Sequence, residues 1–282
     1  MPTKISLDTR EASEPRRGRP GWVVPALLAG VLVLGIAIGV VVPGGTPRSP
    51  DPDASVAATA VGEPMDQPVD GDQDEDEGGE EQLPTGAVTA GAGGTRTGPG
   101  GIPAGFAQTR DGAVAAATVY LEALSSTGLY QPVVGQEILT ATGDPRWLTG
   151  QSRQIQAAIA TEARALGLTA AGEPPAGHVV LSTIRPTWGA YRVAAYTPQA
   201  AEIVIWHYLE RGVVPRDGDP PPGAWRTSTV RMTWTGADWK LAALPAHQDG
   251  PVPAVAPRAA PPVFERARLL GAAWWLYANT EV

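Results

Sequence analysis

Residues 227–244 read TSTVRMTWTGADWKLAAL, and this stretch decides the fold. In its first half Val230, Met232 and Trp234 alternate with polar or charged residues, which is the period-two pattern of a strand with one buried face. Residues 235–238 (TGAD) then have the composition of a hairpin turn, so the chain returns antiparallel to the strand before it. The stretch therefore predicts the closing hairpin of an antiparallel sheet.

The same alternation recurs upstream of this hairpin. The predicted strands are His178–Ile184, Gly189–Tyr196, Glu202–Arg211, Thr227–Thr235 and Trp239–Leu244. In the third of them, Ile203, Ile205, His207 and Leu209 share one face, while Val204, Trp206 and Tyr208 share the other. The proline-rich run 215–223 between the third and fourth strands predicts a loop, because proline cannot donate to a strand ladder.

Helical periodicity comes before the strands. Apolar residues at three- and four-residue steps predict a helix over Asp111–Leu124 and another over Ser152–Leu166, with a shorter helix at Val133–Thr140. Helices followed by antiparallel strands predict an α+β fold, with helices packed on one face of a curved sheet. We place this domain at residues 105–247.

Two segments follow the predicted domain. Residues 248–262 form a Pro/Ala-rich spacer, and residues 263–282 contain VFERARLLGAAWWLY, which predicts an amphipathic helix. That helix either packs on its own domain, which we favour, or is presented to a partner or a membrane surface.

The N-terminal part of the chain predicts a membrane anchor. Residues 22–42 (WVVPALLAGVLVLGIAIGVVV) contain no charged side chain, and a helix of this length is about 31 Å long, the thickness of a bilayer's hydrocarbon core. We therefore assign residues 21–42 to a transmembrane helix that contacts the lipid bilayer through residues 22–42. The apolar core is longer than that of a signal peptide, and the small-x-small site at residues 58–60 (ATA) lies far beyond its end, so we expect the segment to stay uncleaved.

Basic residues precede the apolar segment and set its expected orientation. Arg16, Arg17 and Arg19 lie in the polar tail 1–20, which we predict to be disordered and held in the cytoplasm by the positive-inside rule. The predicted location is the cell membrane, with a single span and the C-terminal domain outside the cytoplasm.

Residues 43–104 are predicted to be a disordered acidic linker. They are rich in Pro and Gly, and residues 70–77 (DGDQDEDE) cannot bury apolar surface. The run lacks the Gly and Glu positions of an EF-hand calcium loop. Because the acidic pI of the chain comes from this linker and no basic cluster follows the N-terminal tail, the sequence argues against nucleic-acid binding.

Few residue patterns point to chemistry. The chain has no cysteine, which excludes disulfides, thiol catalysis and thiolate metal sites. Its histidines, His178, His207 and His247, lack the spacing of metal ligands. His207 would need a carboxylate such as Glu202 or Asp238 to act in proton transfer, and a buried structural role is favoured. We therefore predict no catalytic residue, no cofactor and no metal.

The order of elements and the hairpin at residues 229–244 resemble the nuclear-transport-factor-two-like cone fold. The segment Gly105–Ala107 with the helix Asp111–Leu124 adds a more specific similarity to the exported domains of TcpC-type conjugation proteins and the related type IV secretion scaffold. The layout of tail, single span, linker and domain is also that of this family. Residues 105–117 (GFAQTRDGAVAAA) further resemble actinobacterial membrane proteins encoded with mobile-element transfer genes. TcpC proteins carry two such domains, whereas this chain has room for one.

The resemblance implies a non-enzymatic scaffold that contacts other proteins of a transfer machine, and it leaves homo-oligomerisation open. The alternative implied by a cone fold is an extracytoplasmic module that binds a small ligand in its cavity. Among the tryptophans, Trp225 beside the proline loop and Trp274 and Trp275 in the terminal helix are the candidates for an exposed interaction surface.

Overall fold

The structure is a computed structural model that describes residues 82–256 and 258–282. The predicted tail, the membrane helix and the linker up to residue 81 lie outside these residues. Within the described ranges, every helix is too short or too polar to cross a bilayer. The described chain confirms the α+β prediction, with helices packed on a curved antiparallel sheet.

The segment before the first helix packs on the domain. Residues 82–104 were predicted to belong to the linker, yet Leu83 and Val88 are buried. Strand β1 (Arg96–Thr97) also pairs antiparallel with β2 (Pro103–Ala104). These few apolar side chains contact a surface built from strands far along the chain, which composition does not reveal. The packed domain therefore extends back to residue 82 and does not begin at residue 105.

Three helices form a layer. Helix α1 (Arg110–Leu124) matches the predicted helix within one residue, and α2 (Pro132–Thr142) contains the predicted short helix. Helix α3 (Pro145–Ala165) begins seven residues before the predicted Ser152. Its start is fixed by Asp144, whose side chain accepts hydrogen bonds from the backbone N–H groups of the helix's first turn.

Helix α1 is the central element of this layer. The Thr109 side chain caps it by accepting a hydrogen bond from the Gly112 backbone. Ala113, Ala116 and Ala117 are fully buried, because their short side chains let the helix approach the sheet closely. The helix thereby closes one face of the sheet.

The sheet has five antiparallel strands. They are β3 (His178–Tyr196), β4 (Ala200–Pro215), β5 (Gly223–Trp234), β6 (Trp239–Leu241) and β7 (Ala246–Asp249). The order is β3-β4-β5-β6, and β7 pairs with β5 beside β6. The predicted closing hairpin is present, with Trp234 opposite Trp239.

Strand β3 joins the two strands that were predicted at 178–184 and 189–196. Its pairing with β4 shifts register between Arg185 and Ala190, so that Arg185 faces Tyr208 and Ala190 faces Trp206. Pro186 lies within this bulge, where the ladder needs no donor. The bulge bends the strand and contributes to the curvature of the sheet.

The two sheet faces carry separate hydrophobic clusters. The inner face packs against α1, and its fully or nearly fully buried residues include Ile203, Ile205, Val230, Met232 and Leu241. The outer face carries Trp188, Ala190, Val204, Trp206, Tyr208 and Trp225. The alternation in residues 203–209 therefore predicted the faces of these apolar residues correctly: Ile203 and Ile205 lie on the inner face, and Val204, Trp206 and Tyr208 lie on the outer face.

The C-terminal segment covers the outer face. Helix α4 (Val263–Leu270) ends at Gly271, which has φ 74°, and so is shorter than the predicted helix over 263–277. Trp275 then forms a two-way backbone pair with Tyr191 on the free edge of β3. The Leu276 backbone N–H donates a hydrogen bond to the Pro84 carbonyl, and the Leu276 carbonyl accepts one from the Gly86 N–H. The terminal segment thus packs on its own domain, which is the alternative that the sequence favoured.

Candidate functional site

An apolar groove lies between α2 and α3 on the surface of the helix layer. It holds about 300 Å³. Its apolar lining comes from Leu129, Leu139, Ile159, Ala160 and Ala163, and polar side chains of Gln131, Gln136, Gln156 and Thr169 border it. This volume is at the lower end of the range of small-molecule sites.

The groove exists because α3 stands away from the rest of the domain. Of its 21 residues only Ile155 and Ala163 are buried. Gly135 of α2 faces the 3-10 turn Thr127–Tyr130 so closely that an added Cβ would lie 2.4 Å from the Leu129 carbonyl oxygen. Helix α2 is thereby held against this turn, and Leu129, Tyr130 and Gly135 together form part of the groove wall.

The groove continues towards the start of α3. A smaller cavity of about 40 Å³ is lined by Leu148, Ser152 and Ile155 and shares Gln136, Leu139 and Gln156 with the larger one. Together they form one apolar channel along the α2–α3 contact, which we call the helix groove. Val133, at the start of α2, is 73% exposed.

Tyr130 lies at one end of the helix groove. The residue is 5% exposed, and its hydroxyl has no hydrogen-bond partner among the described residues. Burial raises the pKa of Tyr130 above its usual value, and nearby Arg211 opposes this rise. The Arg211 side chain donates to Ser182 Oγ at 3.0 Å and pairs with Glu162 of α3. A neutral phenol is therefore held beside an ion pair, and Glu162 of that pair is near enough to raise the Tyr130 pKa further by hydrogen bonding and by its charge.

Three side chains form a hydrogen-bonded chain across β4, β5 and β7. His207 Nε2 lies 2.8 Å from Ser228 Oγ, which in turn lies 2.8 Å from His247 Nδ1. His207 is 1% exposed and Ser228 is fully buried. Burial, with a smaller effect of His247, lowers the pKa of His207 to about 3. His207 is therefore neutral at physiological pH.

The hydrogen-bonded series His207–Ser228–His247 contains residue types that serve as a base and a nucleophile in enzymes. Its geometry is nevertheless that of a structural link. The Ser228 hydroxyl has one proton, so one histidine nitrogen accepts from it and the other donates to it. No carboxylate orients either histidine through a hydrogen bond among the described residues, and Ser228 has no access to solvent. The arrangement joins three strands and presents no exposed nucleophile.

The carboxylates considered as partners of His207 lie elsewhere. Glu202 pairs with Arg231 at 3.1 Å. Asp238 is 1% exposed, accepts a hydrogen bond from the Phe106 backbone at 3.0 Å and pairs with Lys240 at 3.1 Å. The structure brings neither of them to His207.

The tryptophans predicted as interaction residues are largely covered. Trp225 is 6% exposed and stacks on Trp206 with ring centroids 4.1 Å apart, so its expected exposure is not found. Trp274 is 8% exposed, and Trp275 is partly buried at the edge of β3. These residues build the outer face and its edge because the terminal segment folds back. Arg16, Arg17 and Arg19 lie outside the described residues.

The sequence did not predict the helix groove. Its signal was the amphipathic pattern of α3, in which Ile155, Ile159 and Ala163 recur at four-residue steps, but the distance between two helices is a tertiary property. Within the described ranges, no group of three or more His, Asp or Glu side chains is arranged to hold a metal ion.

Comparison with known proteins identifies the family. Neither the curated proteins nor the solved structures include a significant match to this chain. Residues 42–259 match a family model described as a domain of unknown function, DUF8175. The match begins at the end of the predicted membrane segment and covers most of the domain, and because it spans well over half of the chain, the protein belongs to the DUF8175 family.

Proposed function

We propose that this protein is a non-enzymatic interaction component of a bacterial cell envelope. One membrane span at residues 22–42 would anchor it with the N-terminus in the cytoplasm, and the domain from residue 82 onwards would contact other proteins outside. By its resemblance to TcpC-type proteins, the machine it serves would be a conjugation or type IV secretion-like apparatus. The order of three helices and a curved sheet with a bulged strand supports the assignment of a cone fold.

The observation that carries this proposal is the helix groove. It is apolar, lies on the surface of the helix layer and is bordered by amide side chains that can bind a peptide backbone. Grooves of this kind receive apolar side chains of a partner's helix or extended segment. We therefore assign a segment of another envelope protein as its occupant.

A small-ligand module is the second candidate, but the cone interior does not favour it. Ile203, Ile205, Val230 and Trp239 are fully buried in one cluster with α1, so side chains fill the space between helix and sheet. The apolar lining of the helix groove and the amide side chains at its border favour a ligand there instead. Such a ligand would need a hydrogen-bond acceptor and an apolar body.

Substitutions on α3 test the role of the helix groove. Ala160 lines the groove, whereas Ala158 is exposed on the opposite side of the same helix. In the source strain we expect Ala160→Arg to lower the frequency of conjugative transfer at unchanged protein level, and Ala158→Arg to leave it unchanged. Equal frequencies for both variants would exclude the groove, and an unchanged frequency after gene deletion would exclude a role in transfer.

The ligand candidate predicts a different result for the same pair of variants. Native mass spectrometry of the purified full chain would show a bound small molecule that is lost in Ala160→Arg and kept in Ala158→Arg. Protease protection of a tag fused after Val282 in intact protoplasts would contradict the proposed topology and with it the envelope role.

A further inference from the structure

Two arginines, Arg185 and Arg192, lie on the outer face of the sheet, the face that α4 packs against. Arg185 faces Tyr208 and Arg192 faces Val204 across the β3–β4 ladder, which places both on the outer face. Each lies over an indole ring, Arg185 at 4.8 Å from the Trp188 centroid and Arg192 at 5.6 Å from the Trp274 centroid. A guanidinium held over an aromatic ring is oriented for a second, anionic partner.

The described residues give these arginines no paired carboxylate. Neither forms an ion pair within 4.0 Å in that part of the chain. Glu281 is near enough for Arg185 to contribute to its lowered pKa. The same carboxylate also lies near the buried Arg266, and it accepts hydrogen bonds from Thr187 Oγ1 at 2.7 Å and Trp188 Nε1 at 2.8 Å. One carboxylate is thus shared by Arg185 and Arg266, and Arg192 has none among the described residues, so positive charge on this face is left for another partner.

The acidic tract is followed two residues later by Leu83, which belongs to the same face. Leu83 is 5% exposed and belongs to the cluster that contains Trp188 and Trp274. Residues 74–81 (DEDEGGEE) contain six carboxylates and no basic residue, and the last of them, Glu81, is two residues before Leu83. At roughly 3.5 Å per residue, Glu80 and Glu81 lie within about 11 Å of Leu83 whatever their conformation.

We propose that residues 74–81 are the occupant of this arginine face, with their carboxylates paired to Arg185 and Arg192. Residues 74–81 are joined to Leu83 by a short stretch of chain, so their effective concentration at this face is high. Each ion pair between a carboxylate of the tract and an arginine of the face therefore forms without the entropic cost of closing a long loop. The opposite signs of tract and face provide the attraction. The tract is thus a built-in occupant of the outer face and shields it from other anions.

Zero-length crosslinking of the full chain tests the contact. Its lysines are Lys4 and Lys240 alone, so a carbodiimide, which joins amines to carboxylates, gives a low background. In Arg192→Lys, purified in detergent micelles, we expect links from residue 192 to residues 74–81. The positive control is the separate variant Arg231→Lys, because residue 231 faces Glu202 in an exposed ion pair of 3.1 Å.

The matched control is Arg153→Lys, an exposed substitution on α3 in the helix layer. We expect its links to the tract to be at least about fivefold weaker, because residue 153 lacks the tethered proximity of the outer face. In about 1 M salt, where the Debye length is about 3 Å, the links from residue 192 should fall to the control level.

Three results would overturn the proposal. They are equal link yields for Arg192→Lys and Arg153→Lys, absence of links from residue 192 in Arg192→Lys while Arg231→Lys forms a link to Glu202, and links that join isotopically distinct molecules in a mixed sample. Circular dichroism of each variant checks that the fold is intact. The outcome is independent of whether the helix groove binds a partner.

Discussion

Asp238 shows at the scale of single residues how one side chain joins the sheet to the helix layer. Its carboxylate accepts from the Phe106 backbone, pairs with Lys240 and lies 3.4 Å from the Tyr120 hydroxyl. Lys240 in turn donates to Tyr120 and to the Ala141 carbonyl. The closing hairpin is thereby fixed to α1, α2 and the segment before α1.

Replacing Asp238 leaves the Lys240 ammonium and the Phe106 N–H without this acceptor. Because removing one partner of a buried ion pair is costly, we expect Asp238→Ala to lower the free energy of unfolding by about 3 kcal/mol. Urea denaturation of the purified protein measures the change. Asp217→Ala, in the exposed β4–β5 loop, is the control and should have an effect near zero. A loss below about 1 kcal/mol for Asp238→Ala would contradict the role assigned to it.

His207 makes stability depend on pH. Its pKa falls from an ordinary value of 6.5 to about 3 in the folded state, so between these values the unfolded chain binds a proton that the folded chain does not. The stability contributed by neutral His207 is complete above about pH 6.5 and is lost as the pH falls towards 3, at a slope of up to about 1.4 kcal/mol per pH unit.

The variant His207→Gln removes this titration. We expect its free energy of unfolding to be lower than that of the unsubstituted protein at about pH 7 and to change less steeply down to about pH 5. His178→Gln, at the start of β3, serves as the comparison. Parallel pH profiles for His207→Gln and the unsubstituted protein would show that His207 is not the group responsible.

Strand β3 shows at the scale of elements how a bulge sets the curvature of the sheet. Gly189 lies in the bulge, where an added Cβ would be 1.7 Å from the Trp206 carbonyl oxygen. The two chains can approach this closely only without a side chain at residue 189. Gly150 in α3 differs, because nothing lies within 4 Å of the Cβ position there.

The same substitution at these two glycines should have opposite effects. Gly189→Ala forces the strands apart and should lower the free energy of unfolding by about 3 kcal/mol. Gly150→Ala, inside a helix, should raise it by about 0.5–1 kcal/mol. Chemical denaturation of both variants measures the difference. Similar stabilities would mean that the bulge relaxes without cost.

The elements differ in how far the sequence could predict them. The strand 202–211 and the helix 111–124 carry strong periodicity, and both are present. The sequence predicted that one strand ends at residue 184 and another begins at residue 189, whereas the structure has one strand with a bulge there. A proline and a glycine interrupt the alternation in both cases, so the pattern does not distinguish a strand end from a bend. The helix predicted over 263–277 ends at Gly271, where a positive φ outweighs the apolar pattern beyond it. The helix groove depends on the spacing of α2 and α3, which neither helix encodes alone.

Arg266 shows at the scale of the whole molecule that the C-terminal segment completes the domain. It is fully buried in α4, and its guanidinium donates to the Pro261 carbonyl, to Thr280 Oγ1 and to the Glu281 carbonyl. Burial lowers its pKa to about 10, so it stays charged at neutral pH. Leu276 and Tyr277, which follow α4, are buried in the outer and inner clusters respectively.

The family match ends at residue 259, before these contacts. We expect a chain truncated after residue 259 to lose cooperative thermal unfolding, since Trp188, Trp206 and Trp225 would lose their cover. A chain that lacks residues 43–73 should melt within a few degrees of the full chain, because these residues are rich in Pro, Gly, Asp and Ala and have few large apolar side chains to bury. Melting followed by near-ultraviolet circular dichroism compares the two. A cooperative transition in the truncated chain would show that the terminal segment is dispensable.

The first and last described segments meet at one edge of the sheet, where residues 84–88 bond residues 276–278 through three backbone hydrogen bonds of 2.8–2.9 Å. Any mechanical load applied through the chain before residue 82 reaches the domain first at this junction. These bonds would rupture before force reached the ladder between β3 and β4, because they are few and lie nearest the point of pulling. The junction therefore acts as a weak mechanical coupling that can release the leading segment under tension.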